Sequence, residues 1–341
     1  MASTQKTRIG SDVDFEREGK QTGFLQLPYS VHRSAYGGLP VPIVCIKNGK
    51  GPRVLLMSGT HGDEYEGQVI MSKLCRELRP ADVRGRIIIL PASNFPAVRA
   101  GRRTSPIDPG GEGNLNRAFP GDPFGPPTPA IAHYIESVLL PISDYVFDLH
   151  SGGSSLMYLP CAMIPRPKHP GMAKRVAEIL KVFGAPISYY STGSFGDPRL
   201  LEAAADRCGV VCMSSELGGG GTVSLEAVAI GDQGIRRLLR HIGALKPSYP
   251  VAKAPKTRFM ELKSRDYFVY APDDGLFEPF VDLGAQVKKG QPAGVIHFME
   301  TPWREPTPAA FRHAGTVICK RMQGRAERGD CLFHLATDCG G

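Results

Sequence analysis

Short, continuous apolar runs alternate with amphipathic helical patterns from residue 53 to about 245, and this alternation leaves few folds open. RVLLMS (53–58), GRIIIL (85–90), YVFDL (145–149) and GVVCMS (209–214) read as buried strands. Helices are expected over 64–78, 129–140, 171–183 and 225–245, the first stopped by Pro80. Asp197 followed by Pro198 predicts one more helix start, with Asp as cap and Pro at the first position. Strands that are apolar on both faces and separated by helices imply a mostly parallel, or mixed, α/β sheet covered on both sides.

The pattern changes near residue 250. Residues 246–255 are rich in Lys and Pro and read as a linker. Short strand-like runs follow, broken by Gly and Pro, at 268–271, 275–278, 281–283, 294–298, 315–319 and 331–335. The expected organisation is an α/β domain over 1–250, with an N-terminal arm to about residue 22, and a smaller all-β domain over 251–341. Residues 275–298 resemble the half-barrel of lipoyl and biotinyl carrier domains. No lysine stands at a hairpin tip in the setting those carriers use, so a structural or gating role is expected, beside or over the active site.

Composition removes several classes. No apolar run approaches the 18 or so residues of a membrane span, and the charged first twenty residues do not read as a signal peptide. A cytoplasmic protein is expected, neither membrane-bound nor bound to nucleic acid. The eight cysteines show no paired spacing and read as reduced thiols. The net charge of +8 is dispersed along the chain, which fits a small anionic substrate better than nucleic acid.

The chemistry begins with His-x-x-Glu, a spacing that can place two ligands on one metal. Nine His and sixteen Glu in 341 residues would give about 0.4 such matches by chance. Three occur, and context separates them. His133/Glu136 falls in an amphipathic helical stretch and reads as a half-buried pair; His297/Glu300 falls at a strand end in the β region. His61/Glu64 instead follows a buried strand, lies between Gly59 and Gly62, and opens a helix. Ligands of α/β sheets belong outside the carboxyl ends of the strands.

Two more strands end in the same way. His150 closes YVFDL and precedes Ser151-Gly152-Gly153, while Glu216 follows GVVCMS and precedes Gly218–Gly221. His61, Glu64 and His150 make a two-His, one-carboxylate set, the composition of hydrolytic zinc sites with one open position. Glu216 is left over as a general base. Asp148, two residues before His150, shares its side of the strand and is expected to orient a ligand imidazole. The Gly/Pro-rich loop 100–128 adds Arg102, Arg103, Asn114, Asn116 and Arg117, and arginine can grip a carboxylate or stabilise an oxyanion.

At these residues the chain resembles the succinylglutamate desuccinylase/aspartoacylase family, within the zinc carboxypeptidase-like fold. The motifs are SGTHGDEYEG (58–67), NLNRAFPG (114–121), DLHSGG (148–153) and SSELGGG (214–220). The resemblance implies one zinc per subunit held by His61, Glu64 and His150, with Glu216 as the base. It implies that Asn116 and Arg117 hold the substrate's α-carboxylate, and that Arg103, rather than its neighbour Arg102, polarises the scissile carbonyl. Arg102 is then a further substrate-binding residue. The family motif usually reads Asp-Leu-Asn-Arg; Asn114 stands here in place of the Asp. Within the family, GTHGDEYEGQ, RTSPID (103–108) and ETPWREP (300–306) are similar to a branch that deacetylates an acetylated diamino acid during ectoine breakdown.

The expected activity is therefore zinc-dependent removal of an acyl group, acetyl first, from a small N-acyl amino acid by a homo-oligomer (dimer or tetramer). Desuccinylation of N-succinylglutamate, aspartoacylase activity and a small-substrate metallocarboxypeptidase are the enzymatic alternatives. A non-catalytic binding protein on the same scaffold is the remaining one, and it would require loss of a ligand or of the base.

Overall fold

The computed structural model describes residues 7–165, 170–191 and 196–340. Its spine is one long mixed sheet. The strands that define it are β1 (Gly19–Pro28), β2 (Gly38–Asn48), β3 (Arg53–Ser58), β4 (Gly85–Leu90), β5 (Tyr145–His150), β6 (Cys161–Pro165), β7 (Ile187–Ser191), β8 (Val211–Glu216), β9 (Arg258–Glu261), β10 (Gly315–Arg321) and β11 (Cys331–Asp338). They lie in the order β1-β2-β4-β3-β5-β8-β6-β7-β9-β11-β10. The centre, β4-β3-β5-β8, is parallel throughout; β2 and β6 flank it antiparallel.

Period-two alternation makes the central strands buried on both faces. Val54, Leu56, Ile87 and Ile89 point into one core, with Ile70, Met71 and Leu74 of α1 (Tyr65–Glu77). Leu55, Met57, Ile88 and Leu90 point into the other, with Ala130 and Ile131 of the helix that follows Pro126. In chain order the remaining helices are α2 (Phe95–Ala100), α3 (Pro127–Tyr134), α4 (Pro170–Phe183), α5 (Leu201–Arg207) and α6 (Leu225–His241). Helices α4 and α6 join α1 on the first face, and α3 and α5 cover the second.

Several expectations need correction. The helix expected over 129–140 is regular only to Tyr134. It then passes through a π segment (Ile135–Leu139) and a 3-10 turn that contains Pro141, whose ring cannot continue an α-helix. Asp197 does not cap the start of a helix. Its Oδ1 accepts the backbone N–H of Arg199 at 3.0 Å, a local turn, and α5 starts only at Leu201. Residues 281–283 form no strand; they lead into a turn before the short strand Gln286–Val287. The long hairpin β1–β2 precedes the alternation from which the fold was read.

Beyond residue 250 the chain does two things. β9 pairs parallel with β7 and antiparallel with β11, so the main sheet runs on into this region. A separate four-stranded antiparallel sheet, including Gly275–Pro279, Pro292–His297 and Thr307–Ala310, packs over a third core with Phe311 and Phe333. Among the described residues no helix is long and apolar enough to cross a membrane, and all eight cysteines are free thiols.

Candidate metal centre and substrate pocket

The parallel register of β3, β5 and β8 brings their carboxyl ends to one rim. Glu216 pairs with His150 across the ladder, and Ser58, three residues before His61, pairs with Leu149. The turn after β3 then delivers His61 and Glu64. Glu64 occupies the cap position of α1, yet its carboxylate makes no capping hydrogen bond. It turns instead to two imidazoles. Oε1 lies 2.6 Å from His61 Nδ1 and Oε2 lies 2.8 Å from His150 Nδ1. The backbone N–H of Ser151 donates to Oε2 at 3.1 Å. All three side chains are buried, and a ligand atom from each lies within 4.8 Å of the others. Among the described residues this is the one such grouping of three.

The far nitrogens of both rings are also held. His150 Nε2 lies 2.7 Å from Asp148 Oδ2, which also accepts from Thr60 Oγ1 at 2.9 Å. His61 Nε2 lies 3.1 Å from Asn114 Oδ1. Each imidazole thus has an acceptor behind Nε2, leaving Nδ1 on the side of Glu64. That arrangement suits metal-ligating histidines. Asn114 supplies the acceptor even without the negative charge of an aspartate.

Electrostatics fit a cationic guest. Burial works against ionised Glu64, but the His61 and His150 imidazoles hold its carboxyl well below the usual carboxylate range. Burial would also lower His150, yet the Asp148 and Glu64 carboxylates hold it well above its ordinary value. Glu216 is the opposite case: burial, and the Glu64 charge beside it, push its carboxyl up. Its Oε2 is shielded and has no hydrogen-bond partner. An orphaned buried carboxylate oxygen beside a two-His, one-Glu cluster could take up and release a proton.

Neighbouring loops lock the rim. Asp63 Oδ2 accepts both the backbone N–H and Oγ of Ser154, each at 2.8 Å, tying the turn after β3 to the loop after β5. The backbone N–H of Gly62 donates to Arg102 O at 2.9 Å. A Cβ at residue 62 would lie 2.0 Å from Ala97 O, so only glycine lets this turn approach α2 this closely. Arg103 Nη1 then reaches 3.4 Å from Glu64 Oε1 and 3.3 Å from His61 Nδ1. The side chain of Arg102 is exposed and does not line the pocket.

The pocket is a cavity of about 580 Å³. His61, Glu64, His150 and Glu216 lie on its wall with Arg103, Asn116 and Arg117. Arg117 sits on a short 3-10 turn, Leu115–Arg117, with its Nε 3.5 Å from Asp197 Oδ2. Asn116 Oδ1 accepts the backbone N–H of Leu201 at 2.9 Å, joining this turn to α5. The wall also contains residues that no short motif signalled: Tyr158, Tyr189 and Glu202, and from beyond residue 250, Arg265 and His334; of Tyr267 and Tyr270, the two tyrosines of the β region that the sequence offers as able to reach the site, Tyr270 lines it. Tyr267 points elsewhere, buried and stacked on His313 at 4.7 Å. The other two His-x-x-Glu pairs have structural partners. Glu136 binds Arg207 at 2.8 Å, and His297 lies 2.7 Å from Glu278.

The chain is similar to known proteins of one family. Residues 50–242 match the succinylglutamate desuccinylase/aspartoacylase catalytic domain. The N-alpha-acetyl-L-2,4-diaminobutyric acid deacetylase of Halomonas elongata is 39% identical over 328 residues, covering 96% of this chain and 94% of that protein. The crystal structure of a succinylglutamate desuccinylase/aspartoacylase from Rhodobacter sphaeroides superposes with a TM-score of 0.90 at 39% identity, over 98% of this chain and 100% of the other. The product-bound ectoine utilization protein EutE (DoeB) of Ruegeria pomeroyi gives 0.90 at 38% identity, with the same coverage.

Proposed function

The chain belongs to the succinylglutamate desuccinylase/aspartoacylase family, and from that membership we propose that it is a zinc-dependent deacetylase of N-α-acetyl-L-2,4-diaminobutyrate, acting in ectoine utilisation and releasing acetate and the free diamino acid. The observation that carries this reading is the Glu64 carboxylate shared by two imidazoles at a strand rim, with Glu216 one ladder step away. Identity of 39% over nearly the whole chain to the deacetylase of Halomonas elongata supports the choice of substrate.

His61, Glu64 and His150 would hold the zinc through two Nδ1 atoms and a carboxylate oxygen. When bound, the metal supplies Lewis acidity, lowering the pKa of water towards ~7 and polarising the amide carbonyl. The protein's own groups do the rest. Glu216 takes the proton of the attacking water and delivers it to the departing amine. Its carboxyl, raised by burial, keeps that proton long enough to pass it on. Arg103 donates to the oxygen that becomes negative as the carbonyl is attacked. Arg117, with the amide N–H₂ of Asn116, holds the α-carboxylate, since Asn116 Oδ1 is already engaged by Leu201. Asp148 and Asn114 keep the two imidazoles in the ligating tautomer. The region beyond residue 250 walls the cavity on one side, which favours a small substrate over a peptide.

A hydrolysis screen tests the reading. N-acetyl, N-succinyl and N-formyl amino acids, including both monoacetylated diaminobutyrates, are assayed with and without a chelator. Chelator-sensitive turnover that is fastest on the N-α-acetyl isomer is expected. Preference for a succinyl donor, or for hippuryl-type peptides, would reassign the enzyme within its fold.

A further inference from the structure

One acidic side chain in the cavity has no part in this chemistry. Glu202 stands in the first turn of α5 and lines the same cavity as His61, His150 and Arg117. Its carboxylate has a single hydrogen-bond partner, Ser191 Oγ, 3.5 Å from Oε2, which is long for an O–H···O bond. Among the described residues no Lys, Arg or His nitrogen lies within ion-pair distance of it. Burial pushes its carboxyl up, opposed by Ser191 and by the charge of Arg117. Leu200 and Leu201, both buried, line the cavity beside it. A carboxylate set beside leucines with no ion-pair partner, only the more distant charges of Arg117 and His150, is costly unless something else brings the charge.

Its position relative to the α-carboxylate clamp is fixed. Asn116 Oδ1 accepts the N–H of Leu201, the residue before Glu202, so the Asn116–Arg117 turn and the first turn of α5 move together. A substrate held by its α-carboxylate would therefore present its side chain at a set distance from Glu202. Resting on the reading above, we propose that Glu202 is the specificity residue of this pocket: it receives the terminal ammonium of the substrate's side chain and so selects acylated diamino acids. An ammonium offers three donors and one positive charge to the carboxylate. An acidic side chain in the same place would meet like charge, and a neutral one would leave the half-buried Glu202 unpaired.

The test compares kcat/KM for N-α-acetyl-L-2,4-diaminobutyrate and N-acetyl-L-norvaline, which replaces the ammonium with a methyl group of similar size. The wild type is expected to favour the diamino substrate by about 10²-fold or more, the usual consequence of leaving a buried charge unpaired. Glu202→Gln is expected to collapse that ratio to within a few-fold, mostly through KM, while Glu202→Asp, which keeps the charge, retains a clear preference. An equal loss on both substrates would reveal a merely structural role and overturn the proposal. So would a wild type indifferent to the ammonium, a result that needs no variant to fold. Failure of the wild type to cleave any N-acetyl amino acid would instead sink the deacetylase reading, and this inference with it.

Discussion

Glu216 and His150 are the last residues of adjacent parallel strands and sit directly opposite each other in the ladder. In a parallel pair this register puts both side chains at the same rim, so the proposed proton carrier and one proposed metal ligand are positioned by backbone hydrogen bonds rather than by a loop. Replacing Glu216 with Gln keeps the shape and removes the base. Loss of about 10²–10⁴-fold in kcat is expected, with zinc content unchanged. Steady-state kinetics beside elemental analysis checks this, and turnover near the wild-type rate would remove Glu216 from its role.

Arg117 and Asn116 should fail differently. Arg117→Ala is expected to raise KM by about 10–10²-fold, the worth of a charged hydrogen bond, with little change in melting temperature. Asn116→Ala also removes the acceptor for Leu201 N–H at the start of α5, so it should raise KM and lower stability as well. Thermal melts of both variants beside their kinetics separate the two; an unchanged KM in Arg117→Ala would refute the carboxylate clamp.

Gly67 tests how tightly α1 must pack for Glu64 to reach both rings. A Cβ there would lie 2.5 Å from Leu149 O, 2.8 Å from Leu149 Cβ and 3.1 Å from Ser58 Cβ. Helix α1 must shift to admit it. Gly67→Ala is expected to cost about 1–3 kcal/mol of stability and to weaken zinc binding in a chelator-competition assay. Wild-type zinc affinity in a destabilised Gly67→Ala protein would separate α1 packing from the site.

His334 gives a pH signature. Its ring is buried, stacked on Phe268 at 4.3 Å, with Nδ1 unpartnered, and burial pushes it down to about 3. The unfolded chain takes up this proton below about 6.5, whereas the folded one does not until about pH 3. Its contribution to stability is therefore intact above pH 6.5 and is lost as pH falls towards 3. Between pH 7.5 and pH 5 the wild type should lose about 2 kcal/mol more than His334→Gln. Denaturant titrations at both pH values measure the difference; parallel losses would contradict it.

The grouping of His61, Glu64 and His150 was legible because its residues obey a rule of position. His61, His150 and Glu216 each finish or follow a continuous apolar strand, and parallel strands end together. Asp148 followed from strand parity with His150, and the two side chains do meet at 2.7 Å. The β1–β2 hairpin was not legible because Pro40 and Pro42 break its strand pattern. They are tolerated since β2 pairs with β4 only over Val44–Asn48, beyond both prolines, so no ladder bond is lost on that side. Glu202, Tyr189 and His334 reach the cavity from segments far apart in the chain, with no local spacing to mark them. Nothing in the sequence itself separated Arg102 from Arg103; both are exposed, and Arg103 is the one whose guanidinium comes within 3.4 Å of Glu64.

Metal content tests the account most directly. Purified protein analysed by inductively coupled plasma mass spectrometry should contain about one zinc per chain, and His150→Ala should lose most of it together with the deacetylase activity. A wild type that cleaves N-acetyl amino acids at full rate with no transition metal, or a His150→Ala variant that keeps both zinc and turnover, would contradict it.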